Sequence, residues 1–336
     1  MLLAEILTFL AFAATPVVTY APEPPLAVAP TPAAELPPLL RATIEADAAQ
    51  TIQRGCEPLV WRHRGKAPRG ALILMHGYSA GTWQFDALGP MLHREGFDVY
   101  APRMPGHGFG PSGAEEDAGK LLKSGEWPNY RDFAERVYQE TKELGGPISV
   151  MGISGGANVL LAMMASHPDI ARAVVVAPFM WPKNGYAAFA ISVVQGVDTV
   201  TGSWGGSWLD GMDFSWGEAF RPKARAWGRP GHWDMKAGNV FALMRFGQSV
   251  LGEAERIRTP MQIVATGDDD VAAEGPIREL HRKVGGPEKH AFYFFPKEER
   301  VVHPMIHFRE NPDSKSLATV TEIIRGYLVE GKRFDR

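Results

Sequence analysis

The sequence predicts an α/β fold in which a mostly parallel central sheet carries helices on both faces and a helical cap insertion. Three observations predict it. From about residue 57 onward, short apolar β-prone runs alternate with helix-like segments, the order that buries a parallel sheet between helices. The run Ile148–Ile153 passes through a glycine-rich turn straight into a helix-like stretch, Ala157–Met164. The segment 181–255 breaks the alternation: it is rich in Gly and Trp and reads as an insertion between two strands.

Taken in order, residues 1–38 stand apart. The first twenty are apolar and include Ala11-Phe12-Ala13, an A-x-A-like cleavage site, although Glu5 stands where a signal would carry Lys or Arg. The run is too short, and too broken by Pro16, for a membrane span. Seven prolines between Pro22 and Pro38 then predict a stiff, extended linker that adds no core. Export is the expectation, and a cytoplasmic protein with an N-terminal tail is the alternative. The main α/β core is expected over 39–180 and 256–336, with the cap between them at 181–255.

Within the core, strands are predicted near 58–64, 71–76, 98–103, 147–152, 172–178, 260–266 and 290–296. Helices are predicted near 83–95, 129–144, 155–167, 273–285 and 316–330. Asn129 is a candidate cap for the second helix; Gly145-Gly146 ends it and Pro147 blocks its continuation. In the insertion, Ala187–Val200 and Asn239–Leu251 look helical. Six of the nine tryptophans lie there (Trp181, Trp204, Trp208, Trp216, Trp227 and Trp233), with several phenylalanines. Most of these rings are expected to form the insertion's own small core, with some apolar surface left facing the central sheet.

Chemistry concentrates at Gly152-Ile153-Ser154-Gly155-Gly156. Strand, G-x-S-x-G and helix in that order is a nucleophile elbow. The turn is so tight that the serine backbone is strained and its neighbours must be small, which Gly152 and Gly156 satisfy. The following helix aims its N-terminus at the place where negative charge develops. Gly77-Tyr78-Ser79-Ala80-Gly81 fits the same pattern and also follows an apolar run, so the pattern alone does not choose between Ser154 and Ser79. Ser154 has about four candidate strands before it, which puts it centrally, where crevices open at the carboxyl ends of parallel strands. Ser79 has one or two, which puts it at the start of the sheet.

His76-Gly77-Tyr78 after an early strand, Pro105-Gly106-His107-Gly108 after the next, the elbow at Ser154, and a late Asp and His together resemble the α/β-hydrolase superfamily. The nearest likeness is to its monoacylglycerol lipase and carboxylesterase branch, which shares a pattern with the serine aminopeptidases. The resemblance covers roughly 57–330, apart from the insertion. It implies that Ser154 is the nucleophile and that the amides of Tyr78 and Gly155 form the oxyanion hole. Family spacing within Gly267-Asp268-Asp269-Asp270 selects Asp270 as the acid, with Asp269 as alternative. His303 fits the base, with His307 as alternative. His76 and His107 are implied to be residues that shape the site.

Composition narrows the rest. A net charge of −3 and a pI near 6.4 give no reason to expect nucleic acid as a partner. Cys56 is the only cysteine, so neither an intramolecular disulfide nor a thiolate metal centre can form. No dinucleotide fingerprint, Walker loop or H-E-x-x-H occurs, so no cofactor and no catalytic metal are expected. The expected activity is carboxylic ester hydrolysis of a small, lipid-like acyl ester through an acyl-serine. Peptide or carbon–carbon bond hydrolysis, or non-catalytic acyl-ligand binding, are the alternatives.

Overall fold

In the computed structural model of the 336-residue chain, residues 28–111, 117–183, 196, 206–215, 230–232, 234–286, 290–303, 306–307 and 314–336 are described. The signal-like residues 1–20 lie outside them. So do 187–200 except Gly196, and Trp204, Trp216, Trp227 and Trp233.

All seven expected runs join one sheet: β1 (Leu59–Trp61), β2 (Gly70–Met75), β3 (Phe97–Ala101), β4 (Ile148–Ile153), β5 (Arg172–Val176), β8 (Met261–Thr266) and β9 (Ala291–Phe295). Their spatial order is β1-β3-β2-β4-β5-β8-β9. Only β1 is antiparallel, to β3. β2, β4 and β8 are buried at every residue, because helices cover both faces. Alternation of period two divides the strands between two cores: Ile73, Val150, Val175 and Ile263 on one face, Leu72, Leu74, Met151 and Val264 on the other.

The helices are α1 (Pro38–Ala48), α2 (Leu88–Arg94), α3 (Asn129–Lys142), α4 (Gly155–Ser166), α5 (Ala237–Gly252), α6 (Glu274–Lys283) and α7 (Ser314–Arg325), which runs on into a π turn at Gly326–Glu330. α1, α3, α4, α5 and α6 contribute to the first core, α2 and α7 to the second. α4 is apolar all round and sits centrally, with Gly155 through Ala165 all buried. A short two-stranded ribbon, β6 (Asp213–Ser215) with β7 (Asp234–Lys236), belongs to the insertion. No helix among the described residues is long and apolar enough to cross a membrane.

Four local expectations need correction. Asn129 is the first helical residue of α3, and the N-cap is Pro128, with no side-chain cap. The helix expected over 83–95 divides into a 3-10 turn (Thr82–Phe85) and α2. Pro90 has no N–H to give and is tolerated only in a first turn, so α2 begins at Leu88. The linker is not inert from residue 28 onward: Leu36 is 2% exposed inside the first core, Thr31 N–H donates to Val60 O (2.6 Å), and Trp61 Nε1 donates to Val28 O (2.9 Å). α1 follows, beginning at Pro38. Its free Leu39 N–H donates to Glu143 Oε2 (2.8 Å), and Leu40 is fully buried. Finally, β2 neighbours β4 directly, so Ser79 does not lie at the start of the sheet. Chain order and spatial order diverge after β3, where the sheet grows in the opposite direction.

Candidate active site

The carboxyl ends of β2, β4, β8 and β9 lie along one edge of the sheet: Met75 is level with Gly152, Ile153 with Val176, and Thr266 with Phe295. The turns leaving that edge hold the predicted site residues.

Ser154 leaves β4, the central strand, at φ 54°, ψ −125°, and α4 begins at the next residue. A non-glycine residue at positive φ is held only where its surroundings over-determine it. Here Ser154 N–H donates to Val176 O (2.9 Å) and its own carbonyl accepts from Phe179 N–H (3.3 Å), so β5 and the turn after it brace the elbow from both sides. A side chain at Gly156 would place Cβ 2.2 Å from His76 O, and one at Gly152 would place it 2.7 Å from Leu160 Cδ1. Close packing of helix, strand and the β2 turn thus forbids any larger residue at either glycine.

Ser79 also stands at positive φ, 59°. Its backbone N–H donates to His107 Nε2 (3.3 Å), and a 3-10 turn rather than a long helix follows it. His107 Nδ1 faces Pro105 O (3.0 Å), so that nitrogen carries the proton and Nε2 accepts. His76 repeats the device: Nδ1 faces Gly77 O (2.8 Å) and Nε2 accepts from Met104 N–H (3.0 Å). These two buried rings tie the β2 turn to the β3 turn. Burial first, then the neighbouring His76 and His232, hold His107 well below the ordinary histidine pKa, so it is neutral.

Tyr78 is 7% exposed and stands against the start of α4: a Cβ at Gly155 would lie 3.1 Å from Tyr78 Cβ. The main chains of Tyr78 and Gly155 therefore run side by side next to Ser154. The same position on Gly155 lies 3.1 Å from Leu243 Cδ1 of α5, so the insertion supplies an apolar wall there. The emphasis on aromatic rings missed Leu243; its place in the register of the predicted helix 239–251 was the available signal.

The imidazole of His303 pairs with Asp269, the alternative acid, and not with Asp270. His303 Nδ1 lies 3.0 Å from Asp269 Oδ2, and both residues are buried. Asp269 Oδ1 accepts from Val271 N–H (2.8 Å) and Ala272 N–H (2.7 Å). Burial alone would raise the Asp269 pKa, but His303 and the two amides outweigh it and hold the carboxyl below its usual value. Asp270, the expected acid, keeps an exposed surface, while its carboxyl accepts from the main-chain N–H of His303 and from its own, and desolvation raises its pKa. The turn after β8 folds Asp269 back over its own following amides, so Asp269 meets the imidazole and Asp270 the main chain of the same histidine. His307 is bound elsewhere: Nε2 lies 2.9 Å from Asp86 Oδ1, and the ring packs edge-on to Trp83.

The carboxyl edge of the sheet therefore carries a strained serine at a helix N-terminus with two adjacent backbone segments beside it, and, after β9, an imidazole whose Nδ1–H is oriented by a buried carboxylate. That set can perform nucleophilic acyl transfer.

Comparison with known proteins adds the family. The model of a family described as serine aminopeptidase, S33, matches residues 66–296, more than two thirds of the chain. Among solved structures, a monoacylglycerol lipase from Paleococcus ferrophilus superposes with a TM-score of 0.60 at 18% identity, covering 81% of this chain and 99% of the other. A soluble variant of monoglyceride lipase from Saccharomyces cerevisiae, in complex with a substrate analogue, gives 0.61 at 15% identity, covering 82% and 92%. A structure of the metagenome-derived lipolytic enzymes LipS and LipT gives 0.54 at 14%, covering 81% and 100%. A comparison with curated proteins returns no match. The parallel sheet, its helical layers and the family match agree: this chain is an α/β hydrolase of the serine aminopeptidase S33 family.

Proposed function

We propose that the protein hydrolyses carboxylic acyl esters through an acyl-Ser154 intermediate. The observation that carries this is the His303–Asp269 pair at the same sheet edge as the Ser154 elbow. In this reading Asp269 fixes the imidazole tautomer, so that His303 Nε2 is the base that takes the Ser154 proton. Ser154 Oγ attacks the ester carbonyl, and the amides of Tyr78 and Gly155 hold the developing oxyanion. His303 then returns the proton to the leaving alcohol. Water, deprotonated by His303, releases the acid and restores the serine. Loss of one oxyanion donor typically costs about 10²–10³ in rate, which is why the pairing of Tyr78 with Gly155 matters.

The substrate proposed is lipid-like. Leu243 against Gly155 offers an apolar surface beside the reacting carbonyl, and each buried methylene is worth roughly 0.8 kcal/mol. The monoacylglycerol and monoglyceride lipases among the structural neighbours fit that choice. The family description also names an aminopeptidase, whose substrate ammonium would need a carboxylate near the serine. The insertion offers Asp198, Asp210, Asp213 and Glu218 among its carboxylates; Asp198 and Glu218 lie outside the described residues. Asp210 is committed to Ser124, accepting from its N–H (2.9 Å) and its Oγ–H (3.0 Å), and Asp213 is paired with Lys236 (2.6 Å). Those two favour the ester reading.

Initial rates on nitrophenyl esters of increasing chain length, beside monoacylglycerols and aminoacyl amides, test it. Specificity is expected to rise from acetyl to medium-chain esters. Equal rates on acetyl and octanoyl esters would remove the acyl surface, and faster cleavage of aminoacyl amides than of any ester would establish the peptidase reading instead.

A further inference from the structure

Away from the serine, three metal-ligating side chains from three separate elements converge. His63 follows β1, His93 lies in the last turn of α2, and Asp98 is the second residue of β3. Each offers one ligand atom, and the three atoms lie within 4.8 Å of one another. We propose that His63, His93 and Asp98 form a zinc site.

The donor set is two imidazoles and one carboxylate, which suits a borderline dication such as zinc rather than magnesium or calcium, which take oxygen. His93 Nδ1 faces Phe97 O (3.0 Å). A carbonyl can only accept, so Nδ1 holds the proton and Nε2 carries the lone pair, the outer-shell arrangement that orients a ligating histidine. Asp98 is 2% exposed; its Oδ1 accepts from the His63 backbone N–H (2.7 Å) and lies 3.0 Å from His63 Nδ1. Its other oxygen lies 3.8 Å from Arg62 Nε, a partly exposed guanidinium that holds the carboxylate in place. Arg64, the next cation along, is paired with Glu35 and adds little repulsion. The two imidazole rings stand 4.0 Å apart, close enough for both to reach one cation.

Tetrahedral zinc at its usual bond lengths sets its ligand atoms about 3.4 Å apart, so the three need approach by no more than about 1.4 Å. His63 is on a loop and His93 at a helix end, where side-chain rotation supplies that shift. A cavity of about 320 Å³, lined by Val28 through Pro32, Trp61, Arg62, Arg64 and His93, adjoins the cluster and leaves room for a water as fourth ligand. Asp98 is level with Ala71, which is level with Ile148, the first residue of β4. Ser154 is six residues further along, so the two sites lie at opposite edges of the sheet, about 20 Å apart along the strands. The metal site is therefore structural. It pins β1, α2 and β3 together beneath the segment 28–38, and it takes no part in the ester chemistry.

The test uses the full chain, stripped with a chelator, and zinc chloride titrated against a chromophoric competitor. One equivalent should bind, and cobalt(II) in its place should show tetrahedral visible bands. His63→Ala and His93→Ala should each weaken binding by at least about 100-fold, the upper limit for losing even an outer partner. Zinc at a hundredfold excess over its Kd should raise Tm by roughly 3 °C and leave stoichiometric ester turnover unchanged. His93→Ala keeps the assay decisive if His63→Ala fails to fold, because the contacts it gives up are the bond to Phe97 O and the packing on the His63 ring. Absence of stoichiometric binding, undiminished binding by His93→Ala, or binding lost in His303→Ala in place of these variants would each overturn the proposal.

Discussion

Asp269 Oδ2 and His303 Nδ1 lie 3.0 Å apart in a buried pair, while Asp270, one residue on, is exposed. The carboxylate spends its other oxygen on the amides of Val271 and Ala272, so it cannot swing away without breaking two hydrogen bonds. Asp269→Asn is therefore expected to lower kcat by about 10⁴-fold, as loss of a tautomer-fixing carboxylate does. Asp270→Asn is expected to stay within about tenfold of the parent. Steady-state ester kinetics on the two variants check this, and the opposite ranking would return the acid to Asp270.

The two G-x-S-x-G turns sit on adjacent strands, both with serine at positive φ, so backbone strain does not separate them. What separates them is the helix: α4 starts at Gly155, beside the Tyr78 main chain. Ser154→Ala is expected to reduce turnover by about 10⁶-fold and Ser79→Ala to retain most of it. A fluorophosphonate label located by peptide mass spectrometry should fall on Ser154; a label on Ser79 would reverse the assignment.

His107 is buried and neutral, surrounded by His76, His232, Tyr78 and Arg103. Its folded pKa is depressed, so below about pH 6.5 the unfolded chain takes up a proton that the folded chain does not. Stability therefore falls as pH drops below that value, by up to about 1.4 kcal/mol per pH unit for this one group. The depressed Asp269 adds a second loss at lower pH, as it protonates below the ordinary carboxylate range. Urea melts between pH 7.5 and 5 on chelator-treated protein check the sign. His107→Gln should flatten the slope between pH 6.5 and 5, and an unchanged slope would place the acid sensitivity elsewhere.

Chains beginning at residue 28 and at residue 39 should behave differently. Leu36 is a buried core side chain, and its truncation to Ala is expected to cost about 2–4 kcal/mol. The shorter chain also loses the Thr31–Val60 and Trp61–Val28 hydrogen bonds on edge strand β1. The chain from residue 28 should match the full chain in Tm, and the chain from 39 should melt several degrees lower. Equal Tm values would show that the segment is ornamental.

Much of this was legible in the chain because it rests on local physics. Short apolar, β-prone runs marked all seven strands, most plainly β2, β4 and β8, which are buried at every residue. A serine between two glycines at a strand–helix junction is a turn that few other residues could make, so the elbow was visible too. The helix-like stretch 239–251 located α5, but the attention given to aromatic rings passed over Leu243, the side chain that packs against Gly155. The choice between Asp269 and Asp270 was not local. Both are aspartates in the same turn, and only the path of the loop, set by the amides of Val271 and Ala272 and by where β9 delivers His303, decides which one faces inward. The neighbours of Ser79 depended in the same way on β2 lying beside β4, a strand 73 residues later in the chain when counted from Met75 to Ile148. The burial of Leu36 depended on α3 offering Glu143 to the start of α1. Residue type and spacing determine which elements and which chemistry the chain can form. Which of two equivalent side chains does the work is decided by contacts between segments far apart in sequence, because only folding brings their partners within reach.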